Sequence, residues 1–416
     1  MKLGKFSIGT GDRFSHQGEA QLRAIMRANE KSGLAISIVW NKSNREHTFL
    51  HTVPQDTRNE ADAAVKALGF TGKYYVDADH INSSNVAGFV DSSDYFTIDV
   101  ASFIGKESTK TDVDAFIAGC SKYVGNLAIP GIAHPQIVTN DSLVQIANKF
   151  LAATQQVAHI YTFLVEKKGQ GNFITEVSID EVEKPQTPIE MFFILKMLAD
   201  KKVPVQTIAP KFSGPFYKGI DYMGDVAQFT KEFEEDVLVL DFAVKEFGLP
   251  DELKLSVHSG SDKFSIYKPM ADIMKKYDKG LHVKTTGTTW LEEVIGLAKA
   301  GGDGLDCAKE IYTHAFNRSE ELCAPYVYEI NIDMAKLPSV EEVSNWSSEK
   351  FVNTLSHVPG HPDYNPNFRQ LVHVSYKVAY EMGDNFFSMI EKHAKIIGDC
   401  VEKNIYDRHL KILFDL

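Results

Sequence analysis

Eight short runs rich in Val, Ile and aromatic residues recur between residues 6 and 285, each separated from the next by enough chain for a helix. They are Phe6–Thr10, Leu34–Trp40, Tyr74–Asp77, Tyr95–Val100, Phe173–Ile179, Val205–Ile208, Leu253–His258 and Leu281–Thr285. Runs of this length and composition read as strands. Strands that alternate with helices run parallel, because a parallel pair needs a crossover connection. Eight is the count that closes a parallel barrel, so the expected fold is α/β, a TIM-type (β/α)8 barrel.

Helical periodicity follows the first, second and fifth runs, over His16–Lys31, Glu60–Leu68 and Pro188–Lys201. The connection after the fourth run is longer. It carries two expected helices, Asp112–Tyr123 and Asp141–Lys167, around a Pro-containing loop at Ile129–Pro135, an insertion at about 101–170. After Leu291 the strand pattern stops; helices are expected through Ile311–Arg318, Arg369–Glu381 and Asn385–Glu402, with a Pro-rich loop, HVPGHPDYNPNF, at 357–368. The chain is therefore read as a barrel domain over 1–289 and a C-terminal helical extension packed on it over 290–416.

A length of 416 residues accommodates such a barrel with roughly 100–150 residues to spare. The net charge of −12 argues against a nucleic-acid partner. No apolar run approaches the ~20 residues of a membrane span, and MKLGKFSIGTGDRF has no apolar signal segment, so a cytoplasmic protein with no membrane partner is expected. Cys120, Cys307, Cys323 and Cys400 form no C-x-x-C pair and read as reduced core thiols. GTGDRF (9–14) lacks the third glycine of a dinucleotide fingerprint, and GGDG (301–304) lacks a preceding strand.

In a parallel barrel the functional groups come from the C-terminal ends of the strands. Those ends supply Asp12 and Arg13, then Asn41, Ser43 and Glu46, then Asp77, Asp79, His80 and Asp99. The second half adds Glu176, Asp180, Glu181, Lys211, His258, Ser259, Asp262, His282 and Lys284. Glu176 lies among Phe173, Ile174, Val177 and Ile179, where a solvated carboxylate is not expected. An unpaired buried charge costs several kcal/mol, so Glu176 is either bound to a metal or paired with a lysine such as Lys211 or Lys284. With His80, His258 and His282 it forms a donor set suited to a divalent Zn, Ni, Co or Mn ion with an open position; a hydrogen-bonded core or loop site is the alternative for each histidine. Lys211 and Lys284 offer either an ammonium for an anion or a Schiff-base amine. The HSGSDKF run groups Ser259, Asp262 and Lys263 around Gly260, as a loop for hydroxyls or an anion, or as a strand-to-helix turn with a Ser or Asp cap.

The runs GTGDR (9–13), DADH (77–80), FTID (96–99), EVSIDE (176–181), KGIDYMGDVAQF (218–229), HSGSDKFS (258–265), HVKTTGT (282–288) and RQLVHVSY (369–376) occur in order across most of the chain. In these the chain resembles the tagaturonate epimerase family, metal-dependent enzymes that interconvert fructuronate and tagaturonate at C4. The resemblance implies that Glu46, in the segment Ser43-Asn44-Arg45-Glu46, is a catalytic acid/base and that Asp221 is its partner on the opposite side. It also implies that Glu176 and His258 hold the metal, with His80 and His282 matching further family histidines. Arg13, Ser43, Asp180, Glu181, Lys211, Ser259, Asp262, Lys263 and Lys284 are then expected to bind the substrate. The implied partner is a small-molecule sugar acid; homo-oligomerisation is left open. A different divalent-metal sugar-acid isomerase, a class II-type aldolase, or a non-catalytic sugar-acid binding protein are the alternatives on the same scaffold.

The C4 hydrogen of a 2-ketohexuronate is β to the ketone and therefore not acidic. Inversion there needs either transient oxidation at C4, with a nicotinamide for which the sequence offers no motif, or retro-aldol cleavage between C3 and C4 followed by re-addition. The second route is the expected one.

Overall fold

Each of the eight runs becomes a strand, and the strands close on one another. In the computed structural model, which describes residues 1–416, they are β1 (Phe6–Gly11), β2 (Ile36–Ser43), β3 (Tyr74–Ile81) and β4 (Tyr95–Asp99). A short antiparallel pair, β5 (Gly125–Leu127) and β6 (Gln136–Val138), interrupts the series before β7 (Ile174–Ser178), β8 (Thr207–Ala209), β9 (Lys254–His258) and β10 (Leu281–Lys284). The ring order is β1-β10-β9-β8-β7-β4-β3-β2, every neighbour parallel, which is a closed (β/α)8 barrel.

The stretch read as an insertion contains the helix Lys110–Cys120, the β5–β6 hairpin and a helix of 29 residues, Asn140–Lys168. Thr139 starts that helix by accepting from the amide of Ser142 at 3.0 Å, and Gly169 ends it. The long helix is the crossover between β4 and β7. Strand β3 runs four residues beyond its expected end at Asp77, so Asp79 and His80 sit on the strand itself.

The apolar core is one layer of 103 buried residues, between the outer faces of the strands and the helices. Each Leu, Ile, Val or Phe in it contributes roughly 1.5–3 kcal/mol by burial. Inside the barrel the apolar cluster is only Leu3, Val39, Tyr75, Tyr95 and Ile174. The interior above that floor is polar.

The extension docks through buried polar contacts as well as packing. The helix Thr288–Ala300 follows β10 and spans the expected change from barrel to extension at 289/290; its Trp290 indole donates to the Val372 carbonyl at 2.7 Å. The helix expected over Arg369–Glu381 is two, Pro366–Val374 and Tyr376–Glu381, broken where the Ser375 hydroxyl donates back to the Val372 carbonyl at 2.8 Å. Asp262, fully buried, joins the two parts. Its carboxylate accepts from Arg369 at 2.7 Å and Thr288 at 3.2 Å, and it meets His357 at 3.2 Å and His409 at 3.1 Å. Burial would raise its pKa, but the Arg369 guanidinium and the two imidazoles hold it well below the usual carboxylate range. Next to it, the Lys263 ammonium donates to the carbonyls of Tyr217 at 2.9 Å and Ile220 at 2.8 Å.

All four cysteines are free, three of them buried. No helix is long and apolar enough to cross a membrane.

Candidate active site

Side chains alternate across a strand, so cross-strand pairing shows which ones share the barrel interior. Ser7 pairs with His282, Asn41 with Asp77, Thr97 with Glu176, and His258 with Lys284. Lys284 is the hub of this interior. Its Nζ lies 2.8 Å from Asp77 Oδ2, 2.9 Å from Asp79 Oδ1 and 2.9 Å from Glu176 Oε1. Gly9 makes room for it, since a Cβ there would stand 2.9 Å from Lys284 Cγ and 2.5 Å from Asn41 Oδ1. Burial opposes the charge, yet the three carboxylates hold the Lys284 ammonium well above its ordinary pKa. A Schiff-base amine requires the opposite shift, so Lys284 is a fixed cation. Burial, with Asp79 and Glu176 close by, pushes Asp77 up to about 6 against the pull of Lys284.

One layer higher, at the mouth, His258 sits between two carboxylates. Its Nε2 is 2.9 Å from Glu176 Oε1 and its Nδ1 is 3.1 Å from Asp180 Oδ2. The His80 ring lies 5.0 Å away, centroid to centroid. Ligand atoms of His80, Asp180 and His258 all fall within 4.8 Å of one another, and those of His80, Asp99 and Glu181 do the same. His80 takes a left-handed backbone, φ 50°, a strain of about 1–3 kcal/mol that functional sites often carry.

The chemistry of this donor set fits a divalent ion. Two imidazoles and a carboxylate at the edge of a cavity leave coordination positions free for oxygen ligands. Burial disfavours positive charge on both rings, but Asp180 lifts His258 to about 9, and Asp79 and Asp99 lift His80 to about 10. The carboxylates thus create a place where positive charge is stabilised, and a bound cation would take the place of those protons.

Two of the four expected ligands, His80 and His258, converge here, joined by Asp180. Glu176 and His282 are not among these three, although Glu176 touches His258. Glu176 is fully buried, accepts from Tyr95 at 2.7 Å and Thr97 at 3.1 Å, and holds His258 from behind. That is the position from which a carboxylate orients a ligating imidazole. His282 is sealed below, its Nδ1 2.9 Å from Ser7 Oγ and its ring against Tyr95; burial pushes it down to about 3, so it is neutral.

A cavity of about 1140 Å³ opens above this cluster. Arg13, Ser43, Glu46, Asp180, Glu181, Lys211, Ser259 and Lys284, of the expected substrate and acid/base groups, line it. Ser43 and Glu46 form a reciprocal cap at the start of the helix Asn44–Phe49, which fixes the Glu46 carboxylate at the rim. The Ser259 hydroxyl is spent on the Lys284 carbonyl at 2.7 Å. Three expected residues are not in the lining. Asp262 and Lys263 are buried in the barrel–extension joint, and Asp221 accepts from the Ser265 amide at 3.1 Å and hydroxyl at 3.0 Å at the head of the helix Phe264–Tyr277. Glu46 and Lys211, which follow β2 and β8, both line the cavity, and those strands are four apart in either direction round the ring.

The lining also includes residues that strand-end reasoning did not single out: Thr286 and Gly287 after β10, and Tyr326, His373 and Tyr376 from the extension. The RQLVHVSY run contains the last two. Its helical pattern gave no sign that this helix covers the mouth.

A family model described as tagaturonate epimerase matches residues 1–413. A tagaturonate/fructuronate epimerase of Thermotoga maritima is 28% identical over 429 aligned residues, covering 98% of this chain and 80% of the relative. The fructuronate-tagaturonate epimerase of Cohnella laeviribosi, solved in native form and with glycerol, superposes with TM-scores of 0.81 and 0.82 at 24% identity. These superpositions cover 99% of this chain and 82% of the other, and at that identity they speak for the fold.

Proposed function

The chain belongs to the tagaturonate epimerase family, and we propose that its barrel mouth interconverts D-fructuronate and D-tagaturonate by inverting C4 with a divalent ion held by His80, Asp180 and His258. The observation that carries this reading is the convergence of those three side chains at the floor of a cavity large enough for a hexuronate. Zn, Ni, Co and Mn all suit the donors. When bound, such an ion supplies Lewis-acid stabilisation of negative charge on the oxygens of the ketose.

The chain's own groups handle the proton and the geometry. In the retro-aldol route the C4 hydroxyl gives its proton to a base, the C4–O bond becomes a carbonyl, and the C3–C4 bonding pair stays with the C1–C3 fragment. The C4–C6 aldehyde presents its other face, the bond re-forms, and the C4 oxygen regains a proton. Atoms and electrons balance with no external oxidant. Glu46 on one rim is the base we assign, and Lys211 on the opposite rim takes the role expected of Asp221, so each face of C4 has a group for proton exchange. Lys284 holds Asp79 in place beside His80.

Deuterium at C4 tests the route. Retention of the label with no primary isotope effect is expected, because the C4–H bond never breaks. A primary effect on turnover, or loss of label to water, contradicts retro-aldol chemistry. Net release of a three-carbon aldehyde acid in place of the epimer would mark an aldolase.

A further inference from the structure

We infer that Arg13 and His373, on either side of the seam between barrel and helical extension, form the binding site for the sugar acid's C6 carboxylate. The assignment of that carboxylate to C6 rests on the epimerase reading; the anion site itself rests on the geometry below.

Arg13 follows β1 at the rim of the cavity, with its side chain only 9% exposed. Its guanidinium stacks at 4.2 Å on the ring of Tyr376, which comes from the extension. Glu46 Oε1 stands 3.3 Å from Nε but out of line for a hydrogen bond, and neither Nε nor Nη1 has a partner. His373 faces the same cavity, is 1% exposed, and has no partner on either ring nitrogen. Buried donors left in this state cost stability, and the observation calls for an acceptor.

Space around His373 is kept by two glycines. A Cβ on Gly287 would stand 2.2 Å from His373 Nε2, and one on Gly219 would stand 3.3 Å from His373 Cβ. Burial, together with Arg13 and Lys218, keeps the ring neutral, so it offers one N–H without adding charge. A guanidinium with free N–H groups and a neutral imidazole donor lining one cavity match a planar carboxylate.

The rest of the mouth argues the same way. The cluster end carries Asp79, Asp99, Asp180 and Glu181 beside His80, His258 and Lys284, and on the epimerase reading its ligand positions are taken by the keto-diol. The ligand is therefore oriented, keto-diol end on the metal cluster and carboxylate on the seam. Anchoring C6 also leaves the aldehyde fragment free to turn about C4–C5 without leaving the pocket.

The test is calorimetric binding to metal-free protein, which reads the anchor without chemistry. Three ligands are compared: fructuronate, the ketohexose with a hydroxymethyl group at C6, and that ketohexose as its 6-phosphate. Wild type should bind fructuronate at least about tenfold more tightly than either of the others. R13Q and H373L should lose that preference, with affinity for the acid falling far more than affinity for the neutral sugar, and R13K, which keeps charge but not the fork, should recover only part of it. Equal loss of acid and neutral sugar in R13Q, unchanged fructuronate affinity, or tighter binding of the phosphate ester would each overturn the proposal. Absence of epimerase activity in wild type with these binding preferences intact would fault the epimerase reading and leave the anion site standing.

Discussion

The imidazole of His258 is held by Glu176, Nε2 to Oε1 at 2.9 Å, so that its other nitrogen is presented at the mouth of the barrel beside Asp180. Glu176 is in turn held by Tyr95, Thr97 and Lys284. The carboxylate buried in β7 thus acts on the candidate metal cluster through a histidine. Its influence should be graded.

Replacing His258 with Ala removes a donor and should lower metal affinity by at least ~100-fold, whereas Glu176→Gln, which only loosens the ring, should cost about 10–100-fold. His282→Ala should leave affinity within about threefold, since the ring lies outside the cluster. Titration of each variant with a divalent ion after chelator treatment measures all three. Loss in His282→Ala equal to that in His258→Ala would place the metal deeper than described.

Proton exchange at C4 assigns different fates to two carboxylates. Glu46→Gln should lower kcat by roughly 10²–10⁴-fold. Asp221→Asn should change kcat little, because its contacts are with Ser265 at a helix start, and should instead cost about 1 kcal/mol of stability. Steady-state kinetics with denaturant unfolding separates them. A collapse of kcat in Asp221→Asn would restore the pairing implied by family resemblance.

Asp262 carries the joint between barrel and extension. Asp262→Asn leaves Arg369 without its charge partner in a fully buried site, and should destabilise the fold by about 3–5 kcal/mol. KM of the remaining folded enzyme should stay near the wild-type value. A large KM change without loss of stability would return Asp262 to the substrate pocket.

Stability should fall with pH through Glu292. Burial pushes this carboxyl up to about 7, above its usual 4.5, while Asn404 donates to it at 2.9 Å. The folded state therefore holds the proton more tightly than the unfolded chain. The contribution is full below about 4.5 and is lost as pH rises through about 7. Glu292→Gln should gain roughly 1–3 kcal/mol relative to wild type on going from pH 5 to pH 8, seen in denaturant midpoints. A constant difference across that range would mean the carboxyl ionises normally.

The barrel was legible because its outer faces are continuous β-branched and aromatic runs, and the count of such runs fixes closure. The far end of β3 was not. Asp77 and Asp79 alternate inward with Ala78 outward, a period of two written in carboxylates, and charge at that density reads as loop. The cluster of His80, Asp180 and His258 was half legible for a related reason. Glu176 and Asp180 share a parity along β7 and its extension, so sequence places both inward; only depth distinguishes them. At about 3.3 Å per residue the four intervening steps separate the barrel interior from the barrel mouth. Asp221, Asp262 and Lys263 looked available because they follow strands, but the partners that occupy them, Ser265, Arg369 and the Tyr217 carbonyl, are set by tertiary packing. His373 was hidden for the converse reason, lying on a helix far from any strand end.

The most direct test of the account is to strip the protein with chelator, restore one equivalent of a divalent ion, and follow conversion of fructuronate to tagaturonate in wild type and in His258→Ala. Stripped wild type should give no conversion, adding the ion should restore it, and His258→Ala should not recover at that ion concentration. Conversion by fully stripped protein, or full recovery in His258→Ala, would contradict it.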